Sequence, residues 1–203
     1  RLGRGANLGL KLDHPKLVKT YDLVMEGELL ALVMELVHGQ PLSEVIGTQS
    51  GPIPWQRTLA LADQLLAGIE YAHGMGVVHR DIKPANVLID NRGLLAAQIE
   101  AEWKPVLCDF GNALTMPHCD HRLRDVDKPT RRGGTLSYSA PETLIGVGYE
   151  YPSDMWSLGL VMAEFEHGHV VFPCPRGASD WEQLLNIWKV FRRPFPQALF
   201  DRD

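Results

Sequence analysis

Between Val77 and Asp90 the chain reads VVHRDIKPANVLID, two apolar segments enclosing a dense cluster of charge. His79, Arg80, Asp81, Lys83 and Asn86 all fall in the middle of it. A surface loop needs no apolar flanks, and a core strand does not tolerate ionised groups without partners. The stretch therefore predicts a charged loop clamped onto a core, its side chains committed to one another or to a ligand. The chain has the material for such a core. It has 203 residues, 45% hydrophobic and 22% charged, an ordinary globular composition. That length suits one domain or two small ones.

The segments around the loop set its context. Residues 1–11, RLGRGANLGLK, are basic and glycine-rich and carry no period. LVKTYDLVMEG and ELLALVMEL predict two strands around a turn at Gly27. The second is a continuous apolar run from Leu29 to Met34, as a buried strand would carry, although a short helix would look similar. HGQP, His38–Pro41, is a breaker. We read it as the hinge between a small sheet-containing part, residues 1–37, and a larger helical part, residues 38–203. From Trp55 onward Leu59, Ala62, Leu65, Leu66, Ile69 and Ala72 recur at spacings of three and four, and Gly74 and Gly76 end the run. Asn86–Ile89 and KPVLCDFG, Lys104–Gly111, predict short strands. Their connection, NRGLLAAQIEAEW, is longer than a tight hairpin needs and has room for a helical turn. Residues 112–139 show no period and crowd Arg122, Arg124, Lys128, Arg131 and Arg132 together. SDMWSLGLVMAEFE predicts a buried helix with Ser153 as its N-cap. WEQLLNIWKVF, Trp181–Phe191, predicts a last helix that stops before Pro194.

Several classes are disfavoured. A net charge of -5 argues against a nucleic-acid binder held by phosphate contacts. No apolar run approaches the ~20 residues that span a bilayer, so no membrane partner is expected. Cys108, Cys119 and Cys174 are too scattered for a disulfide scaffold. They point to a reducing, intracellular setting, cytoplasmic or nuclear. His118-Cys119-Asp120-His121 invites a zinc reading, but four adjacent residues cannot all reach one tetrahedral ion, and a solvated loop is the simpler expectation.

The charged stretch fits H-R-D-x-x-x-x-N through His79, Arg80, Asp81 and Asn86. Asp109-Phe110-Gly111 fits D-F-G, and Ala140-Pro141-Glu142 fits A-P-E. Each tripeptide alone is weak; the three in this order and spacing are not. On these motifs the chain resembles the eukaryotic protein kinases, of the serine/threonine type, over nearly its whole length. The resemblance implies an α+β, protein-kinase-like bilobal fold. Residues 1–37 would be a remnant of the small β lobe. Residues 38–203 would be most of the mainly helical large lobe, cut before its last helices.

It also implies a chemistry, transfer of the γ-phosphoryl group of ATP to protein hydroxyls with Mg2+. That reaction asks a protein to position groups and neutralise charge. Asp81 would face the incoming hydroxyl. Asp109 and the amide oxygen of Asn86 are hard donors suited to magnesium. Lys83 would place a cation near the transferred group, with Thr135 beside it; lysine at this position is similar to the serine/threonine enzymes. Met34 would be the gatekeeper, the backbones of Glu35 and Val37 would meet adenine, and Leu88 would form its floor. Asp154 matches the buried aspartate that orients the loop, and His79, Phe110, Gly111 and Glu142 take structural roles. The phrase GTLSY, the spacing from Thr130 to Thr135, and FPCPRGASDWEQLLNIWKVFRRP look most like the cyclin-dependent and related kinases. Ser139 departs from that group, which usually has arginine there. A cyclin-like or other regulatory subunit is an implied partner besides the protein substrate. Thr130 is an implied activating phosphosite, its charge answered by Arg80 and neighbouring basic residues.

Plainer readings stand beside these. Asp81, Asn86 and Asp109 could merely cap loops; the joint motif argues otherwise. Cys108 is read as a buried, inert cysteine rather than a reactive thiol. The basic run Arg122–Arg132 is either a solvated face or a phosphate pocket. Neither a glycine-rich phosphate loop nor a strand lysine is convincing, and Gly5 falls where the regulatory-helix glutamate belongs. The arginine partner of Glu142 would lie beyond Asp203, and an unpaired buried charge costs on the order of 3–5 kcal/mol. The 203 residues alone are therefore expected to be inactive. The competing function is a non-catalytic kinase-like module that binds partners through the large lobe. Intact Asp81, Lys83, Asn86 and Asp109 favour the enzyme. A small-molecule phosphotransferase shares the aspartate-asparagine loop, but the segment leading to Ala140-Pro141-Glu142 argues against it.

Overall fold

The computed structural model describes residues 8–27, 29–49, 51, 53–91, 103–116 and 134–191. Strands β1 (Thr20–Glu26) and β2 (Leu29–Met34) form an antiparallel ribbon, Thr20 opposite Met34 and Glu26 opposite Leu29. Gly27 turns between them with φ 61°, a conformation glycine adopts without strain. The apolar run of β2 is not buried as its sequence predicts: Leu29 is 65% exposed, and Val33 and Met34 are exposed as well. Among the described residues each strand pairs only with the other, so no further strand covers the ribbon.

The hinge gives way to structure sooner than a breaker suggests. Gly39–Pro41 is a short strand, β3, paired with β5 (Val87–Asp90), which in turn pairs with β6 (Lys104–Leu107). A Cβ at position 39 would sit 1.8 Å from the Ile89 carbonyl oxygen, so only glycine lets β3 approach β5. β4 (Val77–Val78) pairs with β7 (Leu114–Thr115) and ties the two flanks of the site together.

Five helices carry the rest of the described chain: α1 (Leu42–Gly47), α2 (Trp55–Gly74), α3 (Pro141–Leu144), α4 (Tyr151–His167) and α5 (Asp180–Phe191). The buried face of α2 is Thr58, Leu61, Leu65, Gly68, Ile69 and Ala72, while Leu59 and Leu66 are exposed. The stripe is rotated from the one read from apolar spacing. Gly68 explains the rotation: its missing Cβ leaves room for Leu17 and Lys16 to pack there. α4 starts earlier than predicted. Its N-cap is Glu150, whose side chain accepts from the backbone of Ser153 while Ser153 Oγ accepts from Glu150 N–H at 3.3 Å. Leu61, Leu65 and Ile69 of α2 meet Leu158, Val161 and Phe165 of α4 and Leu42, Val45 and Ile46 of α1 in the main core. Leu144, Phe172, Leu184 and Ile187 form a smaller one under α5. No helix among the described residues is long and apolar enough to cross a membrane.

Candidate active site

The charged loop leaves β4 and is held from below by one buried carboxylate. Asp154, in the first turn of α4, is 1% exposed. Its Oδ2 accepts from the His79 N–H at 2.9 Å and lies 2.8 Å from His73 Nε2; its Oδ1 accepts from the Arg80 N–H at 2.9 Å. His79 continues the scaffold. Its Nδ1 accepts from the Asp81 N–H at 3.2 Å, which leaves the hydrogen on Nε2 to be donated to the Cys108 carbonyl at 3.0 Å. The ring also meets Phe110 edge-on, centroids 4.7 Å apart. His79 thus joins the loop to the chain leaving β6, with both nitrogens used.

Arg80 bends the loop, with φ 72° in the left-handed region. Such a backbone costs of order 1–3 kcal/mol and persists only where its surroundings impose it; the two N–H bonds to Asp154 do so. The guanidinium lies 4.4 Å from the Tyr149 ring centroid. Its Nε is buried and has no hydrogen-bond partner among the described residues. Burial pulls its pKa down, with Tyr149 and Asp154 acting the other way.

The bend delivers Asp81 into a triangle. Lys83 Nζ donates to Asp81 Oδ2 at 2.8 Å and to Thr135 Oγ1 at 3.0 Å, and Thr135 Oγ1 donates to Asp81 Oδ1 at 3.1 Å. Thr135 arrives there because Gly134, at φ 92°, passes so close that a Cβ would fall 2.5 Å from the Arg80 carbonyl oxygen. Asn86 closes the arrangement. Its Nδ2 donates to the Asp81 carbonyl at 2.8 Å, which leaves the amide oxygen as an acceptor. Asp81 and Asn86 are both 6% exposed.

The β5–β6 register then sets Asp109. Val87 pairs with Leu107, so Asn86 lies opposite Cys108, whose N–H donates to the Asn86 carbonyl at 2.9 Å. Asp109 is the next residue, at the same end of the ribbon. It is exposed and left-handed at φ 67°, and its Oδ1 accepts from the Gly111 N–H at 3.2 Å. Cys108 is half-buried, and burial, with Asp109 beside it, pushes its thiol up to about 11.

The adenine candidates run from the end of β2 towards the hinge, apart from Leu88 on β5. Met34 closes β2, the Glu35 N–H donates to the Lys19 carbonyl at 2.7 Å, and Val37 is half-buried. The Asn91 N–H donates to the His38 carbonyl at 2.9 Å, so the hinge is fastened to the end of β5. Leu88, half-buried on β5, pairs with Pro41 just past that hinge.

Glu142 differs from expectation. It is half-exposed and accepts from Ser153 Oγ at 3.2 Å, so it is not a buried charge awaiting a partner. Thr130, the basic run Arg122–Arg132, His118–His121, Gly5 and the middle of the Asn91–Trp103 connection lie outside the described residues. The sequence reading missed His73, Tyr149 and Gly134. Gly134 stands in a Gly-Gly pair, a turn signal that does not say which backbone it must approach. His73 and Tyr149 stand in no motif and are found only through their contacts.

The donor set can be tested against magnesium. The amide oxygen of Asn86 accepts no hydrogen bond among the described residues, and the exposed Asp109 carboxylate makes no ion pair among them. One carboxylate and one amide oxygen at the same strand ends are hard donors of the kind that hold magnesium alongside phosphate. No group of three His, Cys, Asp or Glu gathers elsewhere among the described residues as an alternative metal cluster.

The Asp81–Lys83–Thr135 triangle, a carboxamide and an exposed aspartate near the ends of β5 and β6 are the residue types that phosphoryl transfer calls for, on a mixed helix-and-sheet fold. The profile of the protein kinase domain matches residues 4–199, and the chain belongs to that family. Its members use ATP and Mg2+. The chain is 33% identical over 201 residues to the serine/threonine-protein kinase PKH3 of Eremothecium gossypii, covering 97% of itself and 26% of that protein. It is 37% identical over 175 residues to the serine/threonine-protein kinase PkaA of Streptomyces coelicolor, covering 85% and 29% respectively. Among solved structures, the yeast RNA Pol II CTD kinase CTDK-1 complex matches with a TM-score of 0.71 at 29% identity, over 92% of this chain and 55% of that one. The chain thus spans less than a third of the length of these two curated relatives.

Proposed function

We propose that this chain supplies the catalytic centre of a serine/threonine protein kinase, transferring the ATP γ-phosphoryl group to protein hydroxyls. The observation that carries the reading is the Asp81 carboxylate, held at once by Lys83 and Thr135, with Asn86 bonded to its backbone. A module that only binds partners has no chemical use for that combination. When bound, magnesium-ATP supplies the phosphoryl group and the cation that screens its charge.

The chain's own residues do the rest. Asp81 orients the incoming serine or threonine hydroxyl and takes its proton. The Lys83 ammonium, fixed between Asp81 and Thr135, stabilises negative charge developing on the transferred group. Asn86 and Asp109 would hold magnesium. Met34, Glu35 and Val37 would line the adenine edge, with Leu88 beneath it. Asp154, His79, Phe110, Gly111 and Glu142 are positioning residues. Residues 1–37 belong to a small lobe and residues 38–203 to a large one. Phosphorylation of Thr130 would complete the polar surroundings of Arg80, whose buried Nε supports that role. The complex named in the matching yeast structure supports a regulatory subunit, cyclin-like or other, besides the protein substrate. The scattered cysteines support an intracellular setting, cytoplasmic or nuclear.

The test is transfer of label from γ-labelled ATP to a protein acceptor by the protein carrying this domain. Label on serine or threonine that requires Mg2+ is the expected result. Label on tyrosine alone, or none at any magnesium concentration while nucleotide binds, would overturn the reading.

A further inference from the structure

Beyond the site, a groove of about 420 Å³ runs between the loop 173–178 and helix α5. Its two walls are lashed together. Gln183 Nε2 donates to the Phe172 carbonyl at 3.2 Å, and Asn186 Nδ2 to the Pro173 carbonyl at 3.0 Å. Pro173 and Pro175 stiffen the loop wall. Beneath it Phe172, Leu184 and Ile187 are packed in the smaller core. The groove is therefore formed before anything enters it, and a preformed groove spares a ligand the cost of ordering it.

Its charge is net positive. Arg176 and Lys189 face it from opposite walls, both exposed, and neither forms an ion pair among the described residues. Glu182 is the one acidic residue in the lining, and it is already engaged. Its Oε2 accepts from the Ser179 N–H at 2.7 Å and from Ser179 Oγ at 2.8 Å, a capping arrangement at the start of α5. The groove thus sets two cations against one carboxylate that pairs with neither, a net positive lining on a chain whose net charge is -5. Such a place attracts groups of the opposite sign.

We propose that this groove docks an acidic peptide segment of a protein partner, with Asp or Glu carboxylates between Arg176 and Lys189. The groove contains none of the phosphoryl-transfer residues, so its binding can be read without nucleotide and stands or falls apart from catalysis. The probe is a fluorescently labelled glutamate-rich peptide titrated by anisotropy against the full chain, with the glutamine counterpart as control. The glutamate peptide should bind, and the glutamine peptide should not. Arg176→Glu with Lys189→Glu should weaken binding about tenfold or more, and added salt should weaken it in wild type. Unchanged affinity in that double variant, or equal binding of the glutamine peptide, overturns the proposal. So does a single-stranded oligonucleotide that binds tighter and survives the double reversal less well than the peptide. A second measurement needs no variant: Cys174 lines the groove, so saturating peptide should slow its alkylation, followed by peptide mass mapping. An unaltered rate at Cys174 under saturation contradicts docking here.

Discussion

The ribbon β1–β2 and the segment from β4 to β6 are both rich in apolar residues, yet they end in opposite surroundings. Leu29 and Met25 of the ribbon are 65% and 73% exposed, whereas Val78 and Val87 are fully buried at 0%. The difference is not hydrophobicity but what is available to pack against. β4 and β5 lie over α2, α4 and α1, and the charged loop between them is satisfied by Asp154, Cys108 and Asn86. Among the described residues each ribbon strand pairs only with the other, and only the ribbon's start, at Thr20, is buried, beside Gly9. Ionised groups can thus be better enclosed than leucines when the fold supplies partners for them.

That contrast can be broken or sharpened by experiment. The largest expected effect is chemical. With its thiol pushed up to about 11, Cys108 holds little thiolate near neutrality. At pH 8 its alkylation should run about 10²-fold slower than that of an unperturbed thiol, rising only as pH approaches the raised value. Mass-mapped iodoacetamide rates across pH check this, and a Cys108 rate that levels off below pH 9 would refute it. Next, Phe165→Ala should cost about 3–5 kcal/mol in urea unfolding, since Phe165 is wholly buried beside Trp103 in the main core. Asp154→Asn should cost about 1–3 kcal/mol, because one of the N–H groups it now serves loses its acceptor. A loss in the same range for Leu29→Ala would break the contrast. The ribbon residue should shift stability by no more than about 0.5 kcal/mol, and its amides should exchange faster than those of β5 and β6.

The legible parts of the chain were those set by local pattern. The two strands about Gly27 and the helix from Trp55 to Gly74 are local regularities, and the structure has them. What escaped depends on distant partners. Gly39–Pro41 reads as a breaker because its pairing with Leu88–Asp90 lies far along the chain. The α2 stripe was rotated because Gly68, silent in an apolar count, receives Leu17 and Lys16. Ser153 looks like an N-cap, but Pro152 is compatible with a first helical turn, and Glu150 takes the cap instead. At the site, the residue types of Asp81, Lys83 and Asn86 were readable. The left-handed backbone of Arg80, which delivers Asp81, was not, since arginine does not announce a positive φ.

The central claim is that folding turns Asp81 into the group that receives the substrate hydroxyl. Single-turnover transfer by Asp81→Asn, with magnesium-ATP binding measured on the same protein, tests it most directly. The account predicts a transfer rate lower by about 10²–10⁴-fold with nucleotide affinity nearly unchanged. A variant that transfers at the wild-type rate, or that loses nucleotide binding and transfer in equal measure, would contradict it.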